Sequence, residues 1–100
     1  MSILYSIFVS MVFALEYMIN IIFTDEVKSL FGDDSYINID SIRYSTNLKT
    51  FVVHTKALIS DITSENTEDF KSKLTYLVTM GWRYLGKDEP LTIVSSIDVK

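Results

Sequence analysis

Residues 36–59 read YINIDSIRYSTNLKTFVVHTKALI, and this stretch decides the fold class because it predicts two consecutive β-strands. β-Branched and aromatic side chains, which strands favour, recur over Tyr36–Ser45 and again over Leu48–Ile59. Thr46 and Asn47 lie between the two runs, and asparagine tolerates the backbone conformations that tight turns require. We therefore predict a β-hairpin.

The apolar residues change sides within the first of these strands. Ile37 and Ile39 share one face, whereas Ile42 falls on the opposite parity. Because successive side chains of a strand alternate between its two faces, this change of parity predicts a β-bulge near Asp40 and Ser41.

A helix is predicted after the hairpin. Ser64 or Asn66 is a suitable N-cap, and acidic residues follow it, where they complement the positive end of the helix dipole. The apolar stripe of this helix consists of Phe70, Leu74, Leu77 and Val78. Gly81 is the predicted end of the helix, with Trp82 folding back on the last turn as in a Schellman motif.

Two further strands are predicted near the C-terminus, over residues 82–86 and over Leu91–Val99. The polar residues 87–90 (KDEP) connect them. The second strand alternates between larger apolar and mostly polar side chains, a pattern typical of one face on a core and one face in water.

The apolar run over residues 3–23, ILYSIFVSMVFALEYMINIIF, is open to three interpretations. We favour a strand over Ile3–Phe13, where apolar residues alternate with serines, followed by a core helix from about Ala14. The core stripe of that helix is then Leu15, Met18, Ile19 and Ile22. A last short helical piece begins at Asp25 and Glu26, after Thr24, and Gly32 is its predicted stop. A transmembrane helix fits the length, but Glu16 would lie deep in the bilayer and no basic residue precedes the run. A signal peptide would need a basic start and a cleavage site, which are missing.

Together these elements predict one α+β domain over residues 1–100. The order β-α-β-β-α-β, with one extra C-terminal strand, is that of a ferredoxin-like split βαβ fold, an antiparallel sheet with helices on one face. We expect the other face of the sheet to be open or to pair with a second copy. The mean hydropathy of +0.23 is high, and exposed apolar surface usually marks a partner, a second subunit or a membrane.

Residue types that carry catalysis or bind metals are sparse. The chain has no cysteine, and its single histidine, His54, has no carboxylate two residues away on its strand. Three glycines cannot form a phosphate-binding loop. The adjacent carboxylates, which are Asp33–Asp34, Glu68–Asp69 and Asp88–Glu89, are expected in turns or at a helix start. We therefore predict no catalytic residue, no metal and no cofactor.

The charge balance argues against nucleic-acid binding. The formal net charge is −4, and the nine basic residues are scattered along the chain instead of forming a cluster. The absence of cysteine favours a reducing compartment, so we predict a cytoplasmic protein. Twelve Ile and twelve Ser against two Ala are typical of an AT-rich gene and compatible with a virus or a mobile element.

The segment GWRYLG, residues 81–86, supplies the candidate protein-binding residues Trp82, Arg83 and Tyr84, because these residue types dominate interface hot spots. They also suit an ordinary helix stop and core anchor. The favoured hypothesis is a small non-catalytic protein that binds another protein and forms a homodimer. One such role is an accessory or inhibitor protein of a virus or mobile element that acts on a host defence nuclease in the host cytoplasm.

Two alternatives stay open at this point. The first is a small membrane-attached protein anchored by residues 3–23. The second is a minimal enzyme or ligand-binding α+β barrel dimer, in which His54 with Arg43 or Tyr44 forms the only polar cluster that the sequence offers.

Overall fold

The computed structural model describes residues 11–60 and 66–99, in the order α-α-β-β-α-β. The predicted α+β class is therefore confirmed. The helices are α1 (residues 11–17, continued by a π-helical turn over Met18–Ile22), α2 (Thr24–Phe31) and α3 (Thr67–Tyr84), and the strands are β1 (Tyr36–Ser45), β2 (Thr50–Ile59) and β3 (Leu91–Val99).

The three strands form one mixed sheet in the order β1-β2-β3. β1 and β2 are the predicted antiparallel hairpin, and their register shifts between Ile39 and Ser41, which confirms the predicted bulge. β2 and β3 are parallel and pair along their whole length. Parallel neighbours need a long crossover, and α3 supplies it.

The ferredoxin-like order is not confirmed. A split βαβ unit separates the two strands that its helix joins. Here β2 and β3 are direct parallel neighbours, so the predicted all-antiparallel sheet is wrong. The strand predicted over Ile3–Phe13 is also wrong for residues 11–13, which are helical, while residues 1–10 lie outside the described part of the chain. Helical spacing prevails because Met11, Leu15 and Ile19, four residues apart, all contact the core.

Helix α3 is longer than predicted, and the strand over residues 82–86 is wrong. Gly81 lies inside the helix and is buried. A Cβ atom at Gly81 would stand 3.1 Å from side-chain atoms of both Leu15 and Ile19. Glycine therefore serves here to let α1 pack closely against α3, and it does not end the helix.

A Schellman motif does end α3, five residues later than predicted. Gly86 has a φ angle of 82°, and its N–H donates to the Arg83 carbonyl at 2.9 Å. The Lys87 N–H donates to the Trp82 carbonyl at 3.2 Å. These two bonds satisfy carbonyls that the end of a helix leaves free.

Other predicted helix ends are confirmed. The Asn66 side chain caps α3 by accepting a hydrogen bond from the Asp69 N–H at 2.9 Å. Gly32 follows the last residue of α2 with a φ angle of 108°, a conformation that glycine adopts without strain. In the described part of the chain, no helix is both long and apolar enough to cross a membrane.

The hydrophobic core lies between the helices and one face of the sheet. The bulge in β1 returns Ile42 to the same face as Ile37 and Ile39, so all three are buried. The largest fully buried side chains are Trp82, Leu15, Ile19, Ile37, Ile59, Leu74, Leu77, Val53 and Val78. Core residues thus come from α1, α3 and both strands of the hairpin.

Candidate protein-binding surfaces

The three residues singled out in the sequence do not share a surface. Trp82 is only 2% exposed, its indole N–H donates to the Glu89 carbonyl at 3.3 Å, and its ring lies 5.4 Å from that of Phe51. Trp82 therefore anchors the core and holds the loop before β3 in place. It supports the surface around it and contributes almost none of its own.

Arg83 and Tyr84 are exposed on the outer side of α3. Arg83 lines a shallow cleft of about 310 Å³ together with Tyr76, Thr79 and Met80. Tyr84 and Phe23 form a T-shaped ring contact, with the ring centroids 5.3 Å apart. These residue types are enriched in interfaces, so this side of α3 is one candidate binding surface.

A second surface is more apolar, and the sequence analysis did not identify it. Phe13, Tyr17 and Ile21 are 68%, 61% and 54% exposed, and they follow one another at intervals of four residues along α1. We call these three residues the α1 row. A cleft of about 290 Å³ separates the α1 row from Tyr36 on β1. This part of the exposed apolar surface lies on a helix, whereas we expected exposed apolar residues on the open face of the sheet.

Helix α1 is held in place by two polar side chains that bind the backbone of β1. Asn20 accepts the Ile37 N–H at 2.9 Å and donates to the Ile37 carbonyl at 2.7 Å. Glu16 accepts the Ile39 N–H at 2.7 Å. These hydrogen bonds lie on the side of β1 that faces away from β2, so α1 occupies the position of a further strand.

The residue spacing of a helix and that of a strand explain why Glu16 and Asn20 match the backbone of β1. Four residues of α-helix rise about 6 Å, and two residues of strand rise about 6.6 Å. Glu16 and Asn20 therefore reach Ile39 and Ile37 from successive helical turns. Residues four apart on the helix therefore lie beside residues two apart on the strand. Alternate residues of an edge strand are the ones whose backbone groups face outward.

Tyr36 completes this contact. Its hydroxyl group donates to the second carboxylate oxygen of Glu16 at 2.6 Å. This hydrogen bond, together with partial burial and the negative charge of Glu16, raises the pKa of Tyr36 to about 12. The side chain of Glu16 thus has partners at both oxygens.

The last turn of α1 is π-helical. The Phe23 N–H donates to the Met18 carbonyl, five residues earlier, at 3.0 Å. Ile22, predicted to share the core face with Leu15, is instead about half exposed. The wider turn interrupts the regular helical spacing and ends α1 just before α2 begins at Thr24.

Two of the three residues in the polar cluster predicted from sequence, His54 and Arg43, lie on the open face of the sheet. His54 lies there opposite Ser41, with Arg43 two residues further along β1, opposite Val52. Tyr44 has the other parity and packs against Phe51, with ring centroids 5.1 Å apart. The cluster predicted from sequence is therefore divided between the two faces. Among the described residues, no group of three His, Asp or Glu side chains is arranged to hold a metal ion.

No protein-family model, no curated protein and no solved structure matches the chain.

Proposed function

We propose that the chain is a small non-catalytic module that binds another protein, and that the α1 row is its contact surface. The observation that carries this proposal is the exposure of Phe13, Tyr17 and Ile21, each more than half open to solvent on one side of one helix. Apolar patches of this kind mark interaction sites in soluble proteins.

The geometry of α1 suits a partner with an apolar groove. Large apolar side chains at helical intervals are the recognition elements of helix-in-groove binding. Leu15 and Ile19 pack into the core on the opposite side of α1, and Glu16 and Asn20, beside the α1 row, bind the backbone of β1, so the helix is ordered before the partner arrives. Preordering lowers the conformational entropy that binding must overcome, so a short row is able to contribute substantial affinity.

The charges of α1 favour a protein partner over a lipid surface. Interfacial membrane helices are typically rich in Lys and Arg on their polar face. Residues 11–23 contain no basic residue, and Glu16 is negatively charged. The surface around Arg83 and Tyr84 is a second candidate for the same partner, because Tyr84 contacts Phe23 at the end of α1.

The cellular role that we propose is that of a cytoplasmic accessory or inhibitor protein of a virus or mobile element, with a host defence protein such as a nuclease as its partner. The composition biased to Ile and Ser and the absence of cysteine support this proposal.

Affinity capture with matched variants tests the binding surface. Phe13→Ala with Tyr17→Ala removes two members of the α1 row. Asn47→Ala with Leu48→Ala is the control, because both residues are exposed in the hairpin turn, away from the α1 row and from the surface around Arg83 and Tyr84. We expect wild type and control to retain a partner from host cytoplasm that the row variant binds at least about tenfold more weakly.

Other results would contradict this assignment. Equal capture by both double variants would exclude the α1 row, and a loss confined to Arg83→Ala with Tyr84→Ala would move the site to α3. Flotation of the wild-type protein with vesicles of neutral and anionic phospholipid, reversed by the row variant, would favour the membrane-attached alternative.

A further inference from the structure

The outer edge of β3 belongs neither to the hydrophobic core nor to the α1 row. β3 forms one end of the sheet, and no described strand pairs with its outer side. Its nine residues present about 30 Å of backbone edge. Every one of them is at least partly exposed, including the apolar residues that face the helices.

The features that usually protect an edge strand are missing from β3. Lysine, proline and bulges along the edge discourage pairing with another chain. Leu91–Val99 contains neither lysine nor proline, and its register with β2 is uninterrupted. The only charged residue is Asp98, next to the end of the strand.

The sequence of β3 is complementary to itself in antiparallel orientation. When Ser95 is placed opposite Ser95 of the partner subunit, Leu91 lies opposite Val99 of the partner subunit. Ile93 then lies opposite Ile97 of the partner subunit, so apolar side chains meet on the core face. On the other face, Thr92 meets Asp98 of the partner subunit and no like charges coincide. Matched cross-strand pairs of this kind stabilise a sheet.

We propose that β3 pairs antiparallel with β3 of a second copy, so that two molecules share a continuous six-stranded sheet about a two-fold axis at Ser95. The shared sheet covers the exposed flank of Leu91, Ile93 and Ile97. The α1 row stays free in this dimer because α1 lies against β1, at the opposite edge of the sheet. The dimer is therefore independent of the proposed partner binding.

Sedimentation of the full chain at concentrations from about 1 to 100 µM tests the proposal, since this range detects a dimer whose Kd is about micromolar. We expect a concentration-dependent dimer. Val94→Lys with Ser96→Lys introduces lysines on the solvent face, where the two copies would place them opposite one another. This variant should weaken dimerisation at least about tenfold and leave the circular dichroism spectrum close to wild type, with a small fall in Tm because position 96 lies beside Lys56 of β2.

The matched control is Ser72→Lys with Thr75→Lys, which adds the same charge to exposed positions of α3. It should dimerise like wild type. Loss of the dimer in both variants would assign the effect to net charge and overturn the edge-pairing proposal.

A cysteine probe locates the axis without relying on the lysine variant to fold. Because the chain has no cysteine, Ser95→Cys introduces a single thiol, and mild oxidation should convert it to a covalent dimer much faster than Thr75→Cys. Equal rates, or a monomer throughout the concentration range, would overturn the proposal. A monomer whose β3 amides are protected by another segment of the same chain would overturn it as well.

Discussion

The two edges of the sheet are treated differently by the fold. At β1, side chains of Glu16 and Asn20 bind the outward-facing backbone of Ile39 and Ile37, so a helix completes the hydrogen bonding of the strand. At β3, no described element takes this role. The comparison shows that an edge can be closed by side chains as well as by another strand, and the β3 edge is the one at which we propose that a second copy pairs.

This difference between the two edges depends on the position of α1, and the close contact between α1 and α3 sets that position. Gly81 permits that contact, since Leu15 and Ile19 approach the place where a Cβ atom would stand. If the contact is widened, Glu16 and Asn20 move away from β1. Both edges of the sheet would then be open.

Gly81→Leu should have the largest effect. The added side chain overlaps Leu15 and Ile19, and overpacking of a core typically costs about 3 kcal/mol at its upper range. Chemical denaturation should show this loss of unfolding free energy, with new aggregation from the exposed β1 edge. Gly81→Ala is the control, because the gain in helix propensity of about 1 kcal/mol offsets the tight contact of one methyl group. Equal, large losses in both variants would show that the site tolerates no side chain at all.

Asn20→Ala should rank second. It leaves the N–H and carbonyl groups of Ile37 without their side-chain partner, and an unsatisfied backbone group costs about 2 kcal/mol. The Tm should fall by about 10 °C for a domain of this size. Asn47→Ala, in the exposed hairpin turn, is expected to change Tm by much less. A similar Tm for both variants would contradict closure of the β1 edge by Asn20.

Glu16→Ala should cost about 1.5 kcal/mol, since the Ile39 N–H loses its acceptor. Glu16→Gln keeps an acceptor oxygen and should restore about half of that loss, as measured by urea unfolding. If the Gln variant is no more stable than the Ala variant, the negative charge of Glu16 matters more than its geometry.

Tyr36→Phe should have the smallest effect, at most about 1 kcal/mol at neutral pH, because the hydrogen bond to Glu16 is exposed. The raised pKa of Tyr36 determines how the contribution of this hydrogen bond to stability changes with pH. Stability from the neutral hydroxyl is fully present below the unfolded pKa of 10.0 and is lost as pH rises through about 12. Wild type and variant should therefore differ below pH 10.0 and converge towards pH 12. A constant difference would exclude Tyr36 as the titrating group.

Elements with strong local signals were predictable from the sequence. Alternation placed β1 at Tyr36–Ser45, and the change of parity located the bulge near Asp40. The cap at Asn66 and the glycine after α2 also follow from local chemistry. Each of these features depends on residues close together in the chain, so periodicity and propensity are sufficient to identify them.

The errors concern residues whose role is set by distant parts of the chain. Gly81 resembles a helix stop until α1 is known to pack on it. Trp82 is a hot-spot residue type, but its surroundings bury it. The α1 row was visible at positions 13, 17 and 21, yet only the placement of Leu15 and Ile19 in the core shows which side of α1 faces outward.

Hydrogen exchange of backbone amides at two protein concentrations tests the central claim, that side chains of α1 close one edge of the sheet and a second copy closes the other. We predict that the amides of Ile37 and Ile39 are protected equally at both concentrations. The outward-facing amides of β3 should gain protection only at the concentration that forms the dimer. Fast exchange of Ile37 and Ile39, or exchange of the β3 amides that does not change with concentration, would contradict it.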